Sequence, residues 1–199
     1  MALEPLLSQI ESDGKIPPVD QWNPERCGSM DLVIRADGTW VHEGAVITRP
    51  RLVRLLSTVL CQEADGEYYL VTPVEKMRIR VEDRPFLIVD AECEGEANQE
   101  WNEEGDARLW RLTTNVGDRL VLGSEHRLTI SETPEGEPVP EVGVRFGLSA
   151  RLNRNVYYRL IELAEHRPGQ DQAELGRTEL GIVSQGVWQS LGSVDTESL

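Results

Sequence analysis

The chain has 199 residues, of which 39% are hydrophobic, and this is enough to bury a core in one large domain or two small ones. Its 20 Lys and Arg residues against 35 Asp and Glu residues give a net charge of −15, which repels the phosphates of nucleic acids and anionic membranes. We therefore expect a folded, soluble protein that binds neither nucleic acid polymers nor membranes, while a locally positive pocket can still bind a small anion.

The sequence also predicts the location of the protein in the cell and the redox state of its cysteines. It has no run of roughly 18 to 20 consecutive apolar residues, the length that spans a bilayer, and residues 1–15 lack the order of charged and apolar segments of a signal peptide. We expect a cytoplasmic protein. The three cysteines, Cys27, Cys61 and Cys93, are odd in number and far apart, which predicts reduced thiols and no zinc site.

The first part of the chain predicts a helix, a hairpin and a second helix. Apolar residues at helical spacing predict a short N-terminal helix, which with its linker fills residues 1–21: Leu3, Leu6, Leu7 and Ile10. Asp37-Gly38 is typical of a hairpin turn between alternating runs. A second amphipathic helix is predicted over residues 49–62, with Thr48 as its N-cap.

The order strand, strand, helix returns later in the sequence. Extended residues 142–152 are followed by a predicted helix over 153–166 that begins with Asn153 as its N-cap. At an offset of 105 the apolar faces of the two helices match and Arg49 corresponds to Arg154. This spacing favours a duplicated strand-strand-helix core, although any two amphipathic helices share such a pattern.

The remaining sequence mostly predicts β-sheet and exposed loops. Extended runs over 68–93 and 107–131 predict strands, and "LGIVSQGVWQSLG" predicts a last strand pair before a frayed C-terminal tail. The segment 92–106 contains seven acids and no base and is expected to be an exposed loop. We predict an α+β fold, mostly antiparallel sheet, with a first lobe over 22–95 and a second lobe over 96–199.

The stretch "EKMRIRV", residues 75–81, places three cations side by side in this acidic chain. In an extended strand Met77 and its neighbours at i±2 face one side, while Lys76, Arg78 and Arg80 form a cationic stripe on the other. The stripe has two interpretations. It can bind phosphate or carboxylate through bidentate arginines, or it can be a solvated face whose charges are neutralised by acids on neighbouring strands.

Catalytic motifs are absent from the sequence. It contains no phosphate-binding loop, no dinucleotide-binding glycine motif, no metal-ligand spacing around its three histidines and no nucleophile elbow around a serine. We therefore predict no catalytic residue, no metal and no cofactor. Glu75 and Asp83 are acids near the stripe, but carboxylates are common in this chain. Trp40 either packs on the helix of its own unit or forms a flat wall for a ring ligand.

The runs "WNPERCG", "DGTWVHEGAVITRPRLVRLLSTVL", "YYLVTPVEKMRIRVEDRPF" and "TNVGD" together resemble the bacterial family of the domain of unknown function 1285. The resemblance covers about residues 22–166. It implies a duplicated core in two lobes, the second similar to pleckstrin-homology-like folds. It also implies a ligand groove between the lobes for a nucleotide-like molecule in signal transduction, and no established enzymatic activity.

The main functional prediction is a cytoplasmic sensor or adaptor that binds a small anionic, nucleotide-type ligand and signals through a protein partner. Lys76, Arg78 and Arg80 are the predicted phosphate ligands, with Arg49 and Trp40 as further candidates. Two alternatives remain open. The protein can be an enzyme that uses Glu75 or Asp83 as a base on a phosphorylated small molecule, or a protein-interaction scaffold.

Overall fold

The computed structural model describes residues 16–95, 108–168 and 177–195. The predicted N-terminal helix and most of the acidic segment 92–106 lie outside these residues. The described part of the chain is mostly strand, with two α-helices and one short 3-10 helix at Val19–Gln21. None of its helices is long and apolar enough to cross a membrane.

The fold divides into two compact units. The first runs to Phe86 and also includes Val144–Ser149, and the second comprises Leu87–Gly143 and the chain from Ala150 onward. The first unit therefore ends before residue 95, the predicted limit of the first lobe. Its elements are β1 (Arg26–Ile34), β2 (Trp40–His42), β3 (Ala45–Val46), α1 (Pro50–Thr58), β4 (Leu60–Gln62), β5 (Tyr68–Val71) and β6 (Glu75–Val81).

The first unit is built on one six-stranded sheet in the order β3-β2-β1-β6-β5-β4. All neighbouring strands pair antiparallel except β1 and β6, which are parallel. The hairpin predicted at Asp37-Gly38 is confirmed, since β1 ends at Ile34 and β2 begins at Trp40. The Asp37 carboxylate accepts a hydrogen bond from the Thr39 amide at 2.8 Å, which fixes this turn.

Both faces of this sheet carry buried apolar side chains. On one face Leu70 and Met77 are directly paired and fully buried. Because side chains alternate along a strand, Tyr69 and Val71 point to the opposite face. There Val71 and Cys61 form a small core with Val19 of the 3-10 helix. The sheet is therefore covered on part of its second face, and only the rest of that face is left for a polar site.

The helices are shorter than predicted at their C-terminal ends. Helix α1 ends at Thr58, four residues before the predicted limit of 62, because Leu60 already pairs with Leu70 in β5. The predicted N-cap at Thr48 is wrong. Arg49 occupies the N-cap position without a side-chain hydrogen bond, and Pro50 begins the helix, where its missing amide hydrogen costs nothing.

The second unit contains the other helix, a six-stranded sheet in the order β10-β11-β12-β7-β8-β9 and a three-stranded sheet in the order β13-β14-β15. The elements from here on are β7 (Phe86–Glu94), β8 (Leu109–Thr114), β9 (Arg119–Val121), β10 (Leu128–Glu132), β11 (Pro138–Arg145), β12 (Leu148–Leu152), α2 (Arg154–Glu162), β13 (Glu165–Pro168), β14 (Arg177–Ser184) and β15 (Val187–Asp195). Phe86 of β7 and the adjoining ends of β11 and β12 are assigned to the first unit. The predicted last strand pair is confirmed as the antiparallel pair β14–β15.

Asn153 is the N-cap of α2 as predicted, because its side chain accepts a hydrogen bond from the Asn155 amide. The helix ends at Glu162 and not at His166, since His166 pairs with Leu180 in a strand. The two helices begin at residues 50 and 154 and end at 58 and 162, so they correspond at an offset of 104 and not at the predicted 105. The duplication itself and the pleckstrin-homology-like character of the second unit stay predictions.

Two buried polar side chains of the three-stranded sheet hold neighbouring backbone in the second unit. Ser184 Oγ accepts a hydrogen bond from the Trp110 amide at 2.9 Å and donates one to the Leu122 carbonyl at 2.8 Å. Gln189 accepts from the Leu128 amide at 2.9 Å through its side-chain oxygen. Both side chains are inaccessible to solvent, so these bonds satisfy backbone groups that water does not reach.

Replacement of Ser184 by Ala should lower the free energy of unfolding by about 1–3 kcal/mol, because it leaves a buried donor and a buried acceptor without their partner. Urea unfolding measures this change. The matched control is Ser193→Ala, a half-buried serine of the same sheet, which should change stability by less than about 0.5 kcal/mol. Equal effects of the two substitutions would contradict the role given to Ser184.

Gly181 is required by close packing and not by its backbone angles. A Cβ atom at this position would lie 2.5 Å from Cζ2 of Trp188 and 2.6 Å from the carbonyl oxygen of Gln189. Gly181→Ala should therefore destabilise the protein by about 1–3 kcal/mol through overpacking. Gly143→Ala is the control, because a Cβ there meets nothing within 4 Å. Thermal unfolding should separate the two variants, and equal melting temperatures would contradict the packing role given to Gly181.

Candidate functional site

The cationic stripe lies on the outward face of β6, as its sequence alternation predicts. Glu75, Met77 and Ile79 are buried, whereas Arg78 and Arg80 are exposed. Strand β6 is held between β1 and β5 and cannot rotate, so these side chains point away from the core. The three cations of the stripe nevertheless have different surroundings.

Lys76 contacts two residues of the neighbouring β4–β5 hairpin. Its ammonium lies 2.8 Å from both carboxylate oxygens of Glu63 and 4.7 Å from the centre of the Tyr69 ring. The hydrogen bond with Glu63 raises the pKa of Lys76, so the amine stays charged at neutral pH. Only 21% of its side chain is exposed. The sheet thus neutralises Lys76 in the way that the solvated-face interpretation predicts.

Arg78 and Arg80 are held much more loosely. Arg78 lies 3.8 Å from a Glu67 oxygen and Arg80 lies 4.0 Å from a Glu82 oxygen, and 57% and 71% of the two arginine side chains are exposed. At these distances the contacts are ion pairs without good hydrogen-bond geometry. Exposed pairs of this kind stabilise a fold by only about 0–1 kcal/mol, so an incoming anion can replace them at little cost.

The two arginines lie at one cavity of the first unit, with a volume of about 490 Å³. Its lining comes from β1, β5, β6 and the turn before β5: Ser29, Met30, Gly66, Glu67, Tyr68, Arg78, Ile79, Arg80 and Val81. The volume falls in the range of about 300–1,000 Å³ that is usual for small-molecule sites. Arg78, Arg80, Glu67 and the Ser29 hydroxyl give this lining charged and polar groups that suit a small anionic ligand.

The cavity lies beside an irregularity in β1. Ser29 pairs with Arg78 and Val33 pairs with Arg80, so three residues of β1 lie opposite Ile79 alone. The extra residues interrupt the regular ladder between the two parallel strands. Ser29 and Met30 line the cavity at the point where this interruption begins.

The other predicted site residues are not at this cavity. Trp40 is 1% exposed and belongs to the core, and its indole nitrogen has no hydrogen-bond partner among the described residues. Arg49 is exposed at the N-cap of α1. The structure therefore brings Arg78 and Arg80 together at one cavity and leaves Lys76, Trp40 and Arg49 outside its lining.

The acids proposed for an enzymatic alternative also lie outside the cavity lining. Glu75 is 4% exposed on the inner face of β6, and the Asp83 carboxylate lies 3.6 Å from Arg84. Cys61 is buried, and this burial raises its pKa to about 11, so the thiol is not a nucleophile at neutral pH. Within the described ranges, no group of three or more His, Cys, Asp or Glu residues is arranged to hold a metal ion.

Sequence reasoning missed Ser29, Glu67 and Tyr68. Glu67 and Tyr68 adjoin the turn at Asp65-Gly66, and this dipeptide followed by "EYYL" is a hairpin signal that places them directly after a turn, at the start of a strand. Ser29 had no such signal, because a parallel pairing between β1 and β6 joins segments far apart in the sequence.

A second cavity of about 420 Å³ lies within the second unit. It is lined mainly by β14 and β15, with Tyr157 from α2 and two residues from the strands β10 and β11. The Tyr157 hydroxyl donates a hydrogen bond to the Leu191 carbonyl at 3.1 Å. None of the residues predicted to bind a ligand lines this cavity.

Comparison with known families accounts for both units. The N-terminal domain model of the domain of unknown function DUF1285 matches residues 17–84, and the C-terminal domain model of the same family matches residues 85–191. The chain belongs to the DUF1285 family. The match extends beyond residues 22–166 at both ends, and the two models meet close to the division between the two units.

Two crystal structures of DUF1285 family proteins are similar to this chain. One, from Silicibacter pomeroyi DSS-3, has 39% sequence identity and a TM-score of 0.81, and the alignment covers 97% of this chain and 96% of that chain. The other, from Shewanella baltica OS155, has 27% identity and a TM-score of 0.51 over 67% of this chain and 91% of that chain. No curated protein matches the chain.

The β4–β5 hairpin beside the cavity contains a hydrogen bond whose contribution to stability depends on pH. The Tyr69 hydroxyl donates a hydrogen bond of 2.7 Å to Asp65, and this bond lowers the pKa of the Asp65 carboxyl. The stabilisation of the fold by this hydrogen bond is therefore present above the pKa of an aspartate in the unfolded chain, about 3.9. It is lost as the pH falls through the lower pKa of Asp65 in the folded protein. Tyr69→Phe should raise the Asp65 pKa and make the fold lose less stability on acidification.

An NMR titration of the side-chain carboxyl carbons measures this change. Asp90 is an internal control, because its pKa is lowered by Arg159 in the second unit and should stay the same in Tyr69→Phe. An unchanged Asp65 pKa in the variant would show that the hydroxyl does not hold the carboxylate in solution.

Proposed function

We propose that this DUF1285 protein is a non-enzymatic sensor or adaptor whose first unit binds a small anionic ligand of the nucleotide type. Arg78 and Arg80 bind the anionic group at the 490 Å³ cavity. A cytoplasmic location and a role in signal transduction through a protein partner belong to the same proposal. They rest on the composition of the chain and on the family resemblance, whereas the binding site rests on the geometry of β6.

The observation that carries the proposal is the presence of two loosely paired arginines at one cavity. Alternate residues of a strand are about 6.6 Å apart and lie on one face, so the two guanidinium groups can reach the same ligand. A guanidinium donates two parallel hydrogen bonds to a phosphate or a carboxylate. Their present contacts with Glu67 and Glu82, at 3.8 and 4.0 Å, lack that geometry.

The remaining lining comes from both faces of the sheet. Tyr68 is half-buried, and Met30 and Ile79 are buried beneath the cavity surface. Tyr68 pairs with Ile79, so its side chain lies on the opposite face of the sheet from Arg78 and Arg80. Ser29 adds a hydroxyl that both donates and accepts hydrogen bonds. The geometry therefore supports an anionic ligand, and the nucleotide character of that ligand rests on the family resemblance.

Ligand binding should raise the melting temperature. At a ligand concentration one hundred times Kd, binding stabilises the native state by about 2.7 kcal/mol. We expect a thermal shift with ATP or AMP, and Arg78→Ala should abolish it. The substitution itself should cost at most about 1 kcal/mol of stability, because the pair of Arg78 with Glu67 is exposed. Inorganic pyrophosphate, tested in parallel, separates binding of the phosphates from binding of the whole nucleotide.

Arg51→Ala is the matched control. Arg51 is an exposed arginine of α1 in the same unit, and it does not line the cavity. Its replacement removes the same charge and should leave the ligand-dependent shift intact. If no nucleotide or phosphate shifts the melting temperature of the wild type, or if Arg78→Ala keeps the full shift, the proposed binding site is wrong.

A further inference from the structure

The turn between β4 and β5 carries three acids in alternation: Glu63, Asp65 and Glu67. Two of them are anchored. Glu63 accepts hydrogen bonds from Lys76 through both oxygens, and Asp65 accepts from the Tyr69 hydroxyl at 2.7 Å and from the Glu67 amide at 2.9 Å. These bonds fix the backbone of the turn beside the cavity.

The carboxylate of Glu67 is not anchored in this way. Among the described residues its charged partner is Arg78, at 3.8 Å, and 51% of its side chain is exposed. Its backbone is held at both ends, since its amide donates to Asp65 and its carbonyl accepts from the Glu63 amide at 3.1 Å. Glu67 thus combines a fixed backbone with a half-exposed side chain that lines the same cavity as Arg78.

The second carboxylate beside the cavity arginines behaves differently. Glu82 lies 4.0 Å from Arg80, and its other oxygen accepts a hydrogen bond from the Ala36 amide at 3.2 Å. This bond ties the Glu82 side chain to the turn that follows β1. Of the two acids that face the arginines, Glu67 is therefore the one that can leave its partner without the loss of a backbone hydrogen bond.

We propose that Glu67 is an internal competitor for the anion site and sets its affinity. An anionic ligand at Arg78 must displace the Glu67 carboxylate or bind beside a like charge. Either way the carboxylate weakens binding, and its neutralisation strengthens it. The inference rests on the proposed function, because it concerns the same arginines. It adds a regulatory role: anything that draws Glu67 away from Arg78, such as a cation or a basic segment of a partner protein, increases affinity for the ligand.

Glu67→Gln should lower the Kd for inorganic pyrophosphate about two- to fivefold at low salt. The lower and upper values equal about 0.4 and 1 kcal/mol, since a tenfold change corresponds to about 1.4 kcal/mol. They match the usual strength of one exposed ion pair. The gain should shrink as the salt concentration rises, because the repulsion between exposed charges is screened. Isothermal titration of the full chain measures both effects.

Two further variants make the test specific. Glu63→Gln removes the same charge from the same turn, but its partner Lys76 does not line the cavity, so the Kd should change much less than in Glu67→Gln. The double variant Glu67→Gln with Arg78→Ala should not bind pyrophosphate more tightly than Arg78→Ala alone, because the arginine with which Glu67 competes is absent. Circular dichroism shows that each variant is folded before the titration.

The outcomes separate this inference from the proposed function. Tighter binding in Glu67→Gln alone, including binding that only this variant shows, supports both. If the wild type binds pyrophosphate and Arg78→Ala does not, but Glu67→Gln equals the wild type, the competitor role is overturned and the binding site stands. Equal gains in Glu67→Gln and Glu63→Gln overturn the role as well, because they reflect net charge alone. No binding of pyrophosphate in any variant overturns the competitor role, and the binding site is overturned with it if ATP and AMP also leave the melting temperature of the wild type unchanged.

Discussion

The register of β6 between β1 and β5 is the constraint on which both faces of the first sheet depend. Met77 and Ile79 are buried on one face, and the cations between them must then point to the other. A shift of one residue would bury Arg78 and expose the apolar side chains, so the core itself fixes the direction of the stripe. The arginines of the candidate site are therefore positioned by hydrophobic packing beneath them and need no interaction of their own to hold them there.

Within this stripe, neighbouring acids give each cation a different role. The turn before β5 places Glu63 against Lys76 in a two-oxygen contact at 2.8 Å, and the ring of Tyr69 lies beneath the same ammonium. Arg78 meets its acid only at 3.8 Å. The acids of this turn thus hold Lys76 in a close ion pair and leave Arg78 more accessible to solvent. The difference comes from geometry, because all three cations share one face of one strand.

The sequence predicted the regular parts of this arrangement because they depend on local alternation. The faces of "EKMRIRV", the hairpin at Asp37-Gly38 and the cap at Asn153 are set by residues within a few positions of one another. The C-terminal ends of the helices were missed because strand pairing with distant residues decides where they stop. His166, for example, pairs with Leu180 in a strand and does not continue the helix. The cavity was missed for the same reason. It depends on a parallel pairing of β1 with β6, which places Ser29 beside Arg78 across nearly fifty residues of chain.

The net charge of −15 and an anion site are compatible because charges act over short distances in salt. At physiological ionic strength the screening length is about 8 Å, so a compact anion at Arg78 responds mainly to the groups around the cavity. A long polyanion would also pass over Glu63, Asp65 and the other acids of the chain and would be repelled. If the proposed site binds an anion, the same acidic turn would restrict the size of that ligand and disfavour nucleic acid.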